Sequence, residues 1–230
     1  MKFDTTKNYG VNALKMAIYG RSGVGKTTLA STTGDLGKTL VLSAESGLLP
    51  LRKFSIPYKA IESLEDLFEV GKFLKTGKHD FEWVILDSIS EIAEVCLALK
   101  KDTVKSKSGK PDTLRAYGET SELMTRLMKS FRDLPMNVVF IAQQDRNTDE
   151  EGRMYFGPSM PGKKLSQAIP YLMDEVFAMK VSKDEQGNVT RFLQTSPDGS
   201  YDAKDRSGSL DMYEPANLLA IKQKISGGKK

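Results

Sequence analysis

An α/β fold, with a mainly parallel sheet flanked by helices and an antiparallel hairpin forming one edge near the C-terminus, is what this sequence predicts. Three observations carry that reading. Short apolar runs alternate with amphipathic ones along most of the chain, the pattern of strands joined by crossover helices. The first apolar run, Leu14 to Tyr19, leads into a glycine-rich octet, Gly20 to Thr27, and then into the helical pattern Thr28 to Thr33, which stops at Gly34. Near the end, Asp174 to Val181 and Thr190 to Thr195 are strand-like runs separated by Gly187-Asn188, a hairpin signal.

The elements between these landmarks follow in order. Thr39 to Leu42 is a strand. Leu64, Leu67, Phe68, Val70 and Leu74 mark an amphipathic helix opened by Ser63 and Asp66. Phe81 to Asp87 is an apolar strand, and Ser88 followed by Glu91 is a capping box for the helix that carries Cys96. Lys100 to Asp112, rich in Lys, Ser, Gly and Pro, reads as a loop. Leu123, Leu127, Phe131 and Leu134 mark a helix that ends at Pro135, and Asn137 to Ala142 is a strand leading to Gln143-Gln144. From Asp145 to Lys164 the chain is polar, with a hairpin signal at Glu151-Gly152. No internal repeat is present. We expect one domain over residues 1–230, with a short N-terminal arm and a lysine-containing C-terminal tail.

Composition narrows the function classes. No run of about 18 apolar residues exists, so a membrane span is not expected, and the Met1 to Lys7 segment lacks the apolar centre of a signal peptide. A cytoplasmic protein is expected. The one cysteine, Cys96, falls on the apolar face of its helix with Ile89, Ile92, Ala93 and Leu97 and reads as a buried structural thiol. The lone histidine, His79, has no Cys or His partner, so no zinc site is expected. The net charge of +4 is unevenly distributed. Between Lys100 and Arg115, six basic residues face two acidic ones, an excess equal to that of the whole chain.

The octet Gly20-Arg21-Ser22-Gly23-Val24-Gly25-Lys26-Thr27 fits the phosphate-binding pattern G-x-x-x-x-G-K-[ST] at every fixed position. Glycines let backbone N–H groups curl around phosphates, Lys26 reaches the outer phosphates, and the Thr27 hydroxyl is a magnesium ligand, with Thr28 completing the cradle. The pattern predicts nucleoside triphosphate binding, and ATP rather than GTP because no Asn-Lys-x-Asp segment follows a strand. Asp87, ending an apolar strand, is where such proteins place the carboxylate that holds magnesium. The next residue is Ser88, where many ATPases carry the water-activating Glu. That role therefore falls to another residue: Glu91 has a sufficient explanation as a cap, whereas Glu45 follows the strand Thr39 to Leu42, whose C-terminal end shares the nucleotide edge.

Taken together these segments resemble the RecA family of ATPases. Gly37 to Glu45 looks like the family's stretch ending in the catalytic glutamate, Val84-Ile-Leu-Asp87-Ser88 like its magnesium-binding strand, and Phe140-Ile-Ala-Gln143 like the strand whose terminal Gln senses the γ-phosphate. The resemblance implies a RecA-like phosphate-loop core that uses ATP and Mg2+, with Lys100 to Tyr117 and Arg146 to Lys164 as first and second DNA-binding loops. The candidate contacts to single-stranded DNA are then Lys100, Lys101, Lys105, Lys107, Lys110, Arg115, Arg146 and Arg153. Tyr155 and Phe156 either stack on bases or pack within the hairpin. The short format, and the segment Asp202-Ala-Lys204-Asp-Arg206-Ser-Gly, are similar to phage-encoded RecA-like nucleotide-binding proteins, including Sak-type single-strand annealing proteins. Lys204 and Arg206 resemble the basic pair that such subunits direct at a neighbour's γ-phosphate; a charged surface turn explains them equally. The chain departs from full RecA in having neither a long N-terminal oligomerisation helix nor a C-terminal domain, so stable filaments and strand exchange are not implied.

The sequence is thus expected to encode a magnesium-dependent, DNA-stimulated ATPase that binds single-stranded DNA and assists annealing or homologous recombination. A homo-oligomer acting in a host cytoplasm is implied, with a single-strand DNA-binding protein as a further partner. The alternative is a phosphate-loop small-molecule kinase, or an ATP switch with no DNA role.

Overall fold

The computed structural model describes residues 13–45, 47–149 and 151–227. Ten strands form one sheet in the order β10-β8-β7-β1-β5-β4-β2-β3, with β6 added to β5 and β9 to β7. The parallel centre runs β7 (Glu175–Lys183), β1 (Lys15–Gly20), β5 (Asn137–Thr148), β4 (Trp83–Asp87), β2 (Thr39–Ser43) and β3 (Tyr58–Ala60). Antiparallel pairing is confined to the margins: β8 (Val189–Gln194), β9 (Lys204–Asp205) and β10 (Tyr213–Pro215) on one side, and β6 (Met154–Pro158) folding back on the far half of β5. The expected hairpin is β7–β8, closed by the Asp184 to Asn188 turn with Gly187 at φ 84°.

The central strands are apolar on both faces because both faces are covered. Ala17 and Tyr19, Val84 and Leu86, and Val138, Phe140 and Ala142 join one core with α1 (Leu64–Lys75), α2 (Ile89–Thr103), α3 (Thr113–Arg132) and α4 (Lys163–Leu172). Their alternating neighbours Met16 and Ile18, Trp83 and Ile85, and Val139 and Ile141 join a second core with Leu29, Ala30 and α5 (Leu218–Ile225). Cys96 is fully buried in the first core, as expected.

Several boundaries depart from the sequence reading. The segment after the phosphate loop is a 3-10 helix, Thr27–Thr32, in which four of six residues are Ser or Thr; Ser31 and Thr32 hydroxyls bond back to Thr28 and Leu29 carbonyls. Helix α2 continues through Lys100 and Lys101, which are therefore helical, and only residues 104–112 are a loop. Helix α3 begins ten residues before Leu123, capped by the Asp112 carboxylate on the Arg115 N–H. The C-terminal segment expected as a tail contains α5, which buries Leu218, Ile221 and Ile225; the Leu218 N–H bonds the Thr32 hydroxyl at 2.9 Å.

Candidate nucleotide site

Parallel register brings the chemistry to one edge of the sheet. Gly20 pairs with Gln143, and Ser43, Asp87 and Ile141 are aligned across β2, β4 and β5, so β1, β2 and β4 end together while β5 runs on to Thr148. At that edge lie the phosphate loop, Asp87, Glu45 and Gln143. Gly20 is required by close approach, since a Cβ there would come within 2.7 Å of the Met179 carbonyl oxygen.

The Thr27 hydroxyl lies 2.6 Å from the Asp87 carboxylate. Burial pushes the Asp87 carboxyl above the usual carboxylate range, the Thr27 bond opposes the shift and nearby Glu45 adds to it. A buried carboxylate beside a hydroxyl is a hard-oxygen pair that suits a magnesium ion bound mainly by phosphates and water. No cluster of three or more His, Cys, Asp or Glu able to hold a metal exists among the described residues, so Thr27 and Asp87 would be protein donors in a site completed by ligand oxygens. Lys26 folds over the loop, its ammonium bonding the Gly20 carbonyl at 2.8 Å and the Arg21 carbonyl at 3.0 Å. Burial lowers its pKa against the pull of Asp87 and Glu45, so an incoming phosphate would compensate a desolvated cation.

Glu45 is held from two directions. Its Oε1 accepts a hydrogen bond from the Ser88 hydroxyl and another from the Gln143 side-chain amide at 3.0 Å. Ser88 is a bridge, because its oxygen also accepts from the Glu91 N–H at the start of α2. Among the described residues the Glu91 side chain makes no reciprocal bond, so only half of the expected capping box forms, in contrast to the complete Ser63–Asp66 box of α1. The peptide between Asp87 and Ser88 is cis. Gln143 is anchored through its own N–H to the Ser90 hydroxyl at 2.9 Å, and Ser90 bonds the Ser159 carbonyl at 2.7 Å. That chain ties the Glu45 and Gln143 network to both ends of the β5–β6 hairpin.

The basic residues divide into paired and uncompensated groups. Lys100 and Arg115 both reach Glu119, at 3.0 and 2.9 Å. Lys101 lies over the Tyr117 ring, Arg146 over the Phe156 ring, and Arg153 pairs with Glu151 and Asp149. Lys105, Lys107 and Lys110 are exposed and make no ion pair among the described residues. Tyr117 packs on Gly162, where a Cβ would come within 3.3 Å of its ring, so the start of α3 and the β6–α4 junction adjoin. Phe156 is committed to packing, 5.1 Å from the Tyr201 ring, and its carbonyl accepts the Tyr19 hydroxyl at 2.9 Å. Tyr155 is only partly buried.

Lys204 and Arg206 lie elsewhere. Strand β9 pairs with Glu175 and Val176, which are level with Met16 and Ala17 at the opposite end of β1 from the phosphate loop. The Lys204 ammonium bonds the Pro170 and Met173 carbonyls at 2.7 and 2.8 Å, capping the end of α4, and Arg206 pairs with Asp174 at 2.6 Å. Neither reaches the nucleotide edge of its own chain. One residue that sequence reasoning missed does: Arg191 of β8 donates from Nε to the Val24 carbonyl at 3.0 Å, across 167 residues of sequence.

No helix among the described residues is long and apolar enough to cross a membrane. No curated protein sequence matches the chain. Solved structures similar to it include a prototypical ATPase from the type III secretion system of pathogenic bacteria, 13% identical with a TM-score of 0.45, covering 74% of this chain and 54% of that one. The chain thus spans about half the length of that ATPase. A family model described as an AAA domain matches residues 12–207, and with that match and the phosphate site above, the chain belongs to the AAA domain family of nucleotide-binding ATPases.

Proposed function

We propose that this protein is a magnesium-dependent ATPase that binds single-stranded DNA and couples nucleotide state to annealing or recombination, working as a homo-oligomer. The observation that carries the reading is the shared contact of Glu45 with Ser88 and Gln143. It joins the group suited to orient an attacking water to the base of the β5–β6 hairpin.

In this reading the loop N–H groups and Lys26 receive the phosphates, and Thr27 and Asp87 hold magnesium, which when bound neutralises charge on the β- and γ-phosphates. Glu45 orients water for in-line attack and accepts its proton; Ser88 and Gln143 fix the carboxylate until a γ-phosphate competes for the Gln143 amide. Movement of Gln143 would be felt by the hairpin through Ser90 and Ser159. Lys105, Lys107 and Lys110, uncompensated in the loop that leads into α3, supply the charge for a phosphodiester backbone, with Tyr155 the aromatic of the hairpin still available for stacking.

The test is ATP turnover with and without single-stranded DNA, alongside a gel shift. Stimulation and a shifted band support the reading. Turnover indifferent to DNA with no shifted band would refute the DNA role and favour an ATP switch, and phosphoryl transfer to a small acceptor would favour a kinase.

A further inference from the structure

Arg191 occupies a position that the strand pattern reserves for an apolar side chain. It lies two residues before Leu193, a fully buried member of the core on the phosphate-loop side of the sheet, and so faces the same way. Its cross-strand neighbour is Val181, two residues beyond Met179 of that core. Strand β1 ends at Gly20, so at this level the sheet face overhangs the loop rather than the core. The arginine fills the overhang: a Cβ built on Gly25 would meet its Nε at 3.0 Å and its Cδ at 3.1 Å.

The Val24–Gly25 peptide is trans and planar, so its C=O and N–H point to opposite sides. Anchoring the Val24 carbonyl on Arg191 therefore turns the Gly25 N–H inward, to the concavity that receives phosphate oxygens. Gly25 has φ 104°, so on its C-terminal side the plane is set only weakly by sterics. An external anchor supplies the rigidity that Gly25 lacks. A cationic donor on the carbonyl also polarises the peptide and strengthens the N–H as a donor.

We propose that Arg191 is a positioning residue for the nucleotide: it pre-aims the Gly25 N–H at the phosphates and places a positive charge on the outer rim of the loop. The inference rests on the reading of Gly20 to Thr27 as a nucleotide site. Without the anchor, binding must itself order the peptide, and the cost falls on affinity.

The experiment measures binding of a fluorescent ADP analogue and steady-state ATP turnover for the full chain, Arg191→Ala and Arg191→Lys. Loss of a charge-assisted bond at the site predicts that Arg191→Ala weakens binding and raises KM by about tenfold, with kcat within about twofold of the parent. Arg191→Lys should recover only part of the affinity. Added guanidinium ion, and not ammonium at the same ionic strength, should partly rescue Arg191→Ala, which a merely structural role would not produce. A parent that fails to bind nucleotide would overturn the site itself. A parent that binds, with Arg191→Ala equal to it or unresponsive to guanidinium, would overturn only the role of Arg191; unfolding of both variants would make the contact structural and overturn it as well.

Discussion

Glu45→Gln isolates the proposed chemistry from the architecture around it. The carboxylate Oε1 accepts from Ser88 and Gln143, and the amide oxygen of glutamine can accept both bonds in the same place. What disappears is the charge and the capacity to take a proton from water. Because Glu45 is exposed, weakening two bonds from charge-assisted to neutral should cost under about 1 kcal/mol, a shift of at most about 4 °C in Tm for a chain of this size. A positioned general base contributes roughly 10²–10⁴-fold, and a glutamine that still orients water keeps the loss near the lower end. A kcat reduced about a hundredfold, corresponding to about 2.7 kcal/mol of barrier, is expected with ATP affinity within about threefold of the parent. Single-turnover hydrolysis, equilibrium binding and a thermal melt read the three quantities separately. Glu91→Gln is the control, because the cap at Ser88 uses the Glu91 backbone N–H and not its carboxylate. If Glu45→Gln hydrolyses at the parental rate while Glu91→Gln does not, the assignment of the water-orienting group is wrong.

Replacing Lys105, Lys107 and Lys110 together by Ala should weaken single-strand binding and reduce the salt slope by roughly 0.7 for each phosphate no longer neutralised; an unaltered slope in a titration of affinity against salt would show these lysines to be solvated only. Burial, with Asp205 beside it, pushes the Glu175 carboxyl up to about 8 from 4.5, and its Oε2 makes no hydrogen bond among the described residues. The folded state then holds a proton that the unfolded state releases, so stability should fall by a few kcal/mol as pH rises from about 4.5 to 8 and level off above it. Glu175→Gln, which can still donate to Asp205, should flatten that slope and be the more stable form at pH 8; melts from pH 5 to 9 showing parallel curves would contradict this. For a basic group supplied between subunits, Arg206 is the better probe, since Lys204 also caps α4. Arg206→Ala should lower turnover with little change in nucleotide affinity, and mixing it with Lys26→Ala should restore part of the activity; a mixture with no recovery, and parental rates independent of concentration, would indicate a self-sufficient monomer.

The phosphate loop, Asp87 and the positions of the central strands along the chain were legible because each is a local pattern: fixed residue types at fixed spacing, or an apolar run flanked by turns. Glu45 was legible only through the parallel-sheet argument that β2 ends at the nucleotide edge. Other features were obscured for specific reasons. Edge strand β3 is exposed at all three residues and has no apolar signature. The first two turns of α3 bury only Ala116 and Thr120, too small and polar to mark a helix face. Helix α4 begins after a glycine and contains Pro170, both of which read as loop, and the lysines of α5 conceal Leu218, Ile221 and Ile225 on one face. Arg191 and the dual role of Ser88 depend on bonds between segments distant in sequence, which no local spacing encodes.

The central claim, that one sheet edge binds and hydrolyses ATP with magnesium, is tested most directly by turnover of the parent, Lys26→Ala and Asp87→Asn across a magnesium titration. The account predicts magnesium-dependent hydrolysis by the parent, none above background for Lys26→Ala, and a severe loss for Asp87→Asn that raised magnesium restores only in part, because each change removes charge compensation or metal positioning at the phosphates. Parental rates in Lys26→Ala, or hydrolysis unaffected by chelation of magnesium, would contradict it.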